Sequence, residues 1–170
     1  MGLFGKKKQD KLIEKLKPSD KYYLGNLEAA KNAYARLTEA DKLRVTNQYK
    51  LQEAEGAVDE IQKVITIIAS LSSNSPTYIA DIEAALAAYK ALPSGSKKQV
   101  NNYSQLKDAE KNVKAAQKVI KQISDLDPSL RTFESKTKSA KKAYEKLTPD
   151  QQKIVSNYSI LRQYEFDLGL

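Results

Sequence analysis

The strongest constraint on this chain of 170 residues is an internal repeat of fixed period. The stretch at 33–55 recurs at 88–110 and again at 143–165 without a gap. The positions that are identical in all three copies are, in the first copy, Ala33, Tyr34, Leu37, Val45, Asn47, Leu51 and Glu55. Self-similarity at a fixed period, here about 55 residues, is a stronger guide to architecture than local propensity. We therefore expect the chain to build one structural unit three times.

The apolar residues of each copy recur at the spacing of an α-helix. In the second copy, five residues are spaced 4, 3, 4 and 3 positions apart: Tyr78, Ile82, Ala85, Tyr89 and Leu92. This spacing places them along one face of a helix. The third copy repeats the stripe with a polar residue, Thr137, inside it. No alternating pattern competes, so the sequence predicts an all-α fold.

Polar residues mark where the helices of each copy begin. Thr38 is followed three residues later by Asp41, and Thr148 by Gln151, which is the pattern of a helix N-cap. Pro149 would occupy the first helical position, where its missing N–H costs little. The repeated asparagines precede the third helix of each copy, and we interpret them as its N-caps: Asn47, Asn102 and Asn157.

The third helix of each of the first two copies is expected to continue into the next copy. Apolar residues keep the 3-4 spacing from Leu51 to Ile68 and from Leu106 to Ile123, with no proline between them. This predicts unbroken helices near 48–71 and 103–126. The predicted fold is all-α, with three tandem three-helix bundles of about 55 residues fused through shared helices into an elongated rod. The predicted segments are a flexible basic tail at 1–10 and helical repeats at 11–60, 61–115 and 116–170.

Composition excludes several kinds of chemistry. The chain contains no Cys and no His, which rules out disulfides, thiolate nucleophiles, imidazole bases and Cys/His zinc sites. It also has no Gly-rich phosphate loop and no Asp-x-Asp-x-Asp-Gly calcium loop. The sequence therefore predicts no catalytic residues, no metal site and no cofactor, and we expect a protein that is not an enzyme.

The repeated motif resembles a known kind of bacterial module. Its pattern, A-Y-x-x-L-[TP]-x-x-x-[KQ]-x-x-V-x-N-x-x-x-L-x-x-[AY]-E, is similar to the helical repeats of large surface proteins from Gram-positive bacteria, where such units occur in tandem. The resemblance covers nearly the whole chain. It implies an all-α spacer or interaction module without catalytic residues.

Charge is distributed unevenly, which provides the candidate anion-binding residues. The net charge is +8, of which residues 1–55 contribute +4, residues 56–110 contribute −1 and residues 111–170 contribute +5. The candidates lie near the N-terminus and in the third copy: Lys6, Lys7, Lys8, Lys136, Lys138, Lys141, Lys142 and Lys146. A solvated helix face is the preferred explanation of the third-copy lysines, and Glu145 is expected to neutralise part of the arc formed by Lys138, Lys141 and Lys142. An anionic partner is the other explanation.

Aromatic and apolar residues outside the repeated stripe are candidates for contact with a partner. Tyr22 and Tyr49 break the pattern and are expected to be exposed, whereas Tyr34 and its equivalents are expected in the core. Leu3 and Phe4 precede the first lysines and could touch an anionic membrane or a partner. The repeated glutamate at Glu55 and its equivalents is expected to form a salt bridge or to accept a hydrogen bond.

These observations favour a structural or interaction protein, a semi-rigid spacer or binding scaffold with a protein partner. The alternative is a basic accessory protein that binds a polyanion: nucleic acid, a nucleoprotein particle, a wall polymer or an anionic membrane surface. Assembly into oligomers stays open. The start of the chain does not match a secretory signal, and no apolar run is long enough to span a membrane. We therefore expect a cytoplasmic protein or one packaged from the cytoplasm; an excised fragment could instead come from a cell-surface protein.

Overall fold

All the regular structure in the described part of the chain is helical. The computed structural model describes the backbone of residues 2–170 and the side chains of residues 7–170. The helices are α1 (Gly2–Glu14), α2 (Tyr23–Ala35), α3 (Glu39–Lys42), α4 (Gln48–Ala69), α5 (Tyr78–Ala91), α6 (Ser94–Lys97), α7 (Tyr103–Ser124), α8 (Phe133–Glu145), α9 (Pro149–Ile154) and α10 (Tyr158–Leu168). The predicted all-α class is confirmed.

The helix starts follow the period of the sequence. The second helix of each copy begins at an aromatic residue, Tyr23, Tyr78 or Phe133, and these positions are one sequence period apart. The short helices α3, α6 and α9 and the third helices α4, α7 and α10 keep the same spacing between their first residues. Sequence periodicity therefore carries over into helix boundaries.

Two of the three short helices have the predicted threonine caps. Thr38 Oγ1 accepts a hydrogen bond from the backbone N–H of Asp41 at 3.2 Å. Thr148 Oγ1 accepts one from Gln151 N at 3.4 Å, and Gln151 Oε1 accepts one from Thr148 N at 3.0 Å, which completes a capping box. Pro93 stands at the equivalent position before α6 and provides no side-chain cap.

The two long helices are continuous, as the apolar spacing predicted. Helices α4 and α7 each contain 22 residues without a break. In both helices the buried stripe departs from the 3-4 pattern at the same place, where Val64 and Val119 are buried and Ile65 and Ile120 are half-buried; in α4 Val58 is half-buried as well. The 3.6-residue turn drifts away from a strict 3.5-residue repeat over three turns, which brings the preceding valine onto the core face.

Helix α1 begins earlier than the sequence suggested. The sequence predicts a flexible tail over 1–10, whereas the helix runs from Gly2 to Glu14. The side chain of Gln9 is only 2% exposed, and its Nε2 donates a hydrogen bond to the carbonyl oxygen of Ala30 at 2.9 Å. This bond holds the helix against α2.

The chain forms two compact units. The first unit comprises Met1–Ala69 with Ala85–Tyr103, and the second comprises Ser70–Ala84 with Ser104–Leu170. In the first unit, α1 packs on α2, α3 and α4, and α6 packs on α4. The core of this unit includes Ile13, Tyr23, Leu27, Ala30, Val45, Leu51, Ile61 and Ile68. In the second unit, α8 packs on α10, and the core includes Ile82, Leu106, Val113, Ala116, Ile123, Ala140, Val155 and Leu161.

Candidate interaction surfaces

The repeated asparagines connect helices instead of capping them. The Nδ2 atom of each donates a hydrogen bond to a carbonyl oxygen 37 residues earlier in the chain. The pairs are Asn47 with Asp10 at 3.0 Å, Asn102 with Ile65 at 2.9 Å and Asn157 with Ile120 at 2.9 Å. Asn157 makes no side-chain cap bond to its own helix. Each asparagine directly precedes its helix, as predicted, and Asn157 is the N-cap residue of α10, but its side chain turns toward the neighbouring helix instead of capping its own.

The repeated tyrosines of the apolar stripe form ring stacks at the edge of the core. Tyr89 stacks on Tyr103 with ring centroids 4.0 Å apart, and Tyr144 stacks on Tyr158 at 3.9 Å. Burial raises the pKa of the Tyr89 and Tyr144 hydroxyls above the ordinary value. The rings are half-buried, so these tyrosines lie at the rim of the core and not in its centre. Position 48, where the first copy would place the partner ring, is Gln48.

The repeated glutamate forms the expected salt bridge in all three copies, between two helices in the first and third copies and within one helix in the second. Glu55 lies 3.0 Å from Lys31 Nζ, and Glu165 lies 3.8 Å from Lys141 Nζ. In both cases the bridge joins the second helix of the copy to the third. In the second copy the equivalent of this lysine is Leu86, and Glu110 pairs instead with Lys114 of its own helix at 2.6 Å. The sequence suggested Glu145 as the acidic neighbour of Lys141, but Lys141 pairs with Glu165 on another helix.

The lysines of the third copy are spread around helix α8 and do not form one patch. At 100° per residue, Lys138, Lys142 and Lys146 follow one line on the face opposite the buried residues Thr137 and Ala140. By the same geometry, Lys136 and Lys141 flank the buried face on opposite sides. Helix periodicity thus separates five residues that are close together in sequence.

Nearby carboxylates partly offset the positive charge of three of these five lysines. Lys138 Nζ lies 2.5 Å from Glu134, whose pKa it lowers, and Lys141 is paired as described above. Lys136 helps to lower the pKa of Asp127, an effect that comes first from the hydrogen bonds donated by Ser129. For Lys142 and Lys146 we find no ion pair among the described side chains.

The N-terminal candidates are only partly covered by the structure. Lys7 and Lys8 are exposed on α1. The side chains of Leu3, Phe4 and Lys6 lie outside the described residues. Their proposed contacts with a membrane or a partner therefore stay predictions.

Both tyrosines that were predicted to be exposed are exposed. The exposed fraction is 62% for Tyr22 and 55% for Tyr49, and Lys21 Nζ lies 4.6 Å above the Tyr22 ring centroid. The sequence did not single out Leu43, which is the most exposed large apolar side chain described, at 89%. One signal was available: the equivalent positions in the other copies are lysines, so an apolar residue there has no core to enter.

A contact between α6 and the turn after α1 was not predicted from the sequence. Gln99 Nε2 donates to the carbonyl oxygens of Pro18 at 2.8 Å and Asp20 at 2.7 Å, which lie 81 and 79 positions earlier in the chain. Gly95 lies so close to the turn that an added Cβ would stand 3.1 Å from the backbone nitrogen of Ser19. We call this contact within the first unit the α6–turn joint. A glycine inside a helix was the signal that something approaches closely there.

Comparison with known proteins adds no relative to this picture. No protein-family model, curated protein or solved structure matches the chain. No helix in the described part of the chain is both long and apolar enough to cross a membrane. Among the described side chains, no group of three or more acidic residues is arranged to hold a metal ion.

Proposed function

We propose that this chain is a non-catalytic structural protein: a semi-rigid rod of three three-helix bundles that serves as a spacer or as a binding scaffold. The observation that carries the proposal is the continuity of α4 and α7, each of which runs through the end of one sequence copy into the next. At 1.5 Å per residue, each 22-residue helix is about 33 Å long. A shared helix resists bending far better than a flexible linker does.

The repeated tertiary contacts support the same proposal. The asparagine-to-carbonyl hydrogen bond recurs three times at an identical 37-residue separation, and the stacked tyrosine pair recurs twice. These contacts join helices of the same copy, so each copy reproduces its own packing. Repetition of one packing arrangement is how spacer proteins gain length without needing a larger core.

A measurement of size in solution tests the proposal. A compact chain of this length has a radius of gyration of roughly 15 Å, and the rod requires a clearly larger value by small-angle scattering at low protein concentration. Deleting residues 56–110 removes one period and joins Glu55 to Lys111 in register. This variant should stay helical and become shorter by one repeat. A full-length radius no larger than the compact value, or loss of folding on this in-register deletion, would contradict the proposal.

The second candidate function is binding to a polyanion. The stripe formed by Lys138 and Lys142 on α8 and by its C-cap residue Lys146 favours it, together with exposed Lys7 and Lys8 on α1. The ion pair between Lys138 and Glu134 weakens the stripe, although exposed pairs of this kind are worth only about 0–1 kcal/mol and open readily. The spacer is the better supported of the two, because its evidence extends over all three copies.

A further inference from the structure

The α6–turn joint defines two complementary surfaces. One is formed by α6 and the turn that follows it, where Gly95 allows close approach and Gln99 provides the donor. The other is the turn between the first and second helices, where the carbonyls of Pro18 and Asp20 accept. Pro18 and Asp20 are half-buried.

The same turn recurs in the third copy, where it is exposed. Leu130 N donates to Asp127 O at 3.1 Å, as Asp20 N donates to Lys17 O at 2.9 Å. Proline occupies the second position of both turns, at 18 and at 128. Pro128 is exposed and Leu130 is 47% exposed, so the two residues that correspond to the acceptors of the α6–turn joint lie at the surface.

The equivalent surface recurs in the first copy, on α3 and the two residues that follow it, and it too is exposed. Ala40 stands at the position of Gly95 and Arg44 at the position of Gln99, so a small residue and a side-chain donor are both kept. The Arg44 side chain is 61% exposed and lies 4.0 Å from Asp41, longer than a hydrogen bond. Leu43 lies beside it with 89% of its surface exposed.

Residues change in pairs between the α6–turn joint and these exposed surfaces. The joint has Lys17 on its turn and the uncharged Gln99 on its helix, whereas the exposed surfaces have Asp127 and Arg44 at these positions. A carboxylate facing a guanidinium is the complementary arrangement. The polar residues Asp20 and Lys98 are likewise replaced by two exposed leucines, Leu130 and Leu43.

We propose that the α3 face of one molecule, formed by Ala40, Leu43 and Arg44, binds the Asp127–Leu130 turn of a second copy of this chain. The Arg44 guanidinium donates to the carbonyls of Pro128 and Leu130 and is attracted by Asp127. Leu43 packs on Leu130, which removes both leucines from water. Each molecule carries one helix face and one turn, so the contact is heterologous and joins molecules head to tail.

The contact is small, which sets the conditions for its detection. A single turn on one face of a short helix buries less surface than the ~1,200 Å² at the lower end of stable protein interfaces, so association is weak. Sedimentation velocity of the full chain should therefore be measured over a series of protein concentrations up to about 1 mM. The average sedimentation coefficient is expected to rise along this series.

Mixing two blocked variants tests the direction of assembly. Leu43→Asp blocks the helix face and Leu130→Asp blocks the turn, and each variant alone should remain monomeric. An equimolar mixture should form a dimer and nothing larger, because only one intact face and one intact turn can meet. Leu24→Asp, which changes an exposed leucine on α2, is the matched control and should associate like the unmodified chain. Circular dichroism confirms that the variants remain folded, as expected for exposed positions.

Three results would overturn the inference: an unmodified chain that stays monomeric throughout the series, blocked variants that associate normally, or a mixture that stays monomeric. None of these results bears on the radius of gyration at low concentration, so the spacer proposal would survive them.

Discussion

The side-chain nitrogen of Asn102 lies 2.9 Å from the carbonyl oxygen of Ile65. Ile65 precedes Asn102 by 37 residues and belongs to helix α4. The same geometry joins Asn47 to Asp10 and Asn157 to Ile120. A neutral hydrogen bond of this kind contributes about 1 kcal/mol to stability. Three identical bonds therefore fix where the third helix of each copy begins relative to the first.

Replacement of Asn102 by alanine should lower the free energy of unfolding by about 1 kcal/mol, because the bond to Ile65 is lost. The loss stays modest since the buried Oδ1 of Asn102, which has no hydrogen-bond partner, is removed at the same time. Asn102→Asp should cost more, because an oxygen then faces the Ile65 carbonyl. Urea denaturation measures both changes. The neighbouring Asn101 is exposed, so Asn101→Ala is the control and should be nearly neutral.

Tyr23→Phe should destabilise the chain by about 1 kcal/mol at neutral pH. The Tyr23 hydroxyl is buried and donates to the carbonyl of Ala54 at 3.1 Å, a bond that phenylalanine cannot make. Tyr22→Phe changes an exposed hydroxyl and should have little effect. Equal effects of the two substitutions in thermal unfolding would show that the Tyr23 bond is not formed in solution.

Stability should also fall in alkali, and Tyr23 should contribute to the fall. Burial raises the pKa of Tyr23 above its ordinary value of 10.0, and the pKa of Tyr78, Tyr89 and Tyr144 is raised as well. The folded chain keeps these protons at a pH where the unfolded chain has lost them, so their contribution is complete below pH 10 and is lost above it. Denaturation at a series of pH values should show a shallower alkaline loss for Tyr23→Phe. A loss as steep as that of the unmodified chain would contradict the burial of this hydroxyl.

Proline at Val113 should break helix α7 in its middle. The substitution removes a backbone hydrogen bond and places the ring against the preceding turn, at a cost of about 3 kcal/mol or more. Ser94→Pro provides the control, because position 94 begins α6 and the third copy already has Pro149 there. Amide hydrogen exchange should be faster along α7 in the first variant and unchanged in the second. Undisturbed exchange after Val113→Pro would show that α7 is not one continuous helix.

Charge removal on α8 separates the two functional proposals. One variant replaces Lys138, Lys142 and Lys146 together by Gln. If the chain is a spacer, this variant should behave like the unmodified chain, and neither of them should bind duplex DNA or anionic vesicles near physiological salt. If the chain binds DNA, this variant should bind more weakly, and the slope of log K against log salt should flatten by about 0.9 for each phosphate that is no longer bound. The control variant replaces three exposed lysines on α7 by Gln and so removes the same amount of charge elsewhere: Lys107, Lys111 and Lys118. Salt-sensitive binding that only the α8 variant loses would favour the polyanion function.

Much of the local structure could be predicted from the sequence. The helix starts at Tyr23, Tyr78 and Phe133 and the threonine caps at Thr38 and Thr148 follow from short-range patterns. A capping threonine contacts a backbone N–H only three residues away, and an apolar stripe reports its own helix face. Such features are encoded within a few residues of where they act.

The contacts between residues far apart in the sequence depend on which helices lie side by side. Asn157 bonds to Ile120 instead of capping its own helix, Lys141 pairs with Glu165, and Gln99 reaches a turn that lies far from it in the sequence. In each case the same side chain had a local partner that the sequence pattern favoured or no visible partner at all. By itself the sequence determined the helical class, the period and the helix boundaries that recur with it, because these follow from the spacing of apolar and capping residues. Tertiary structure alone decided the partner of each polar side chain, because that depends on distances between helices, which the spacing of residues along one helix does not encode.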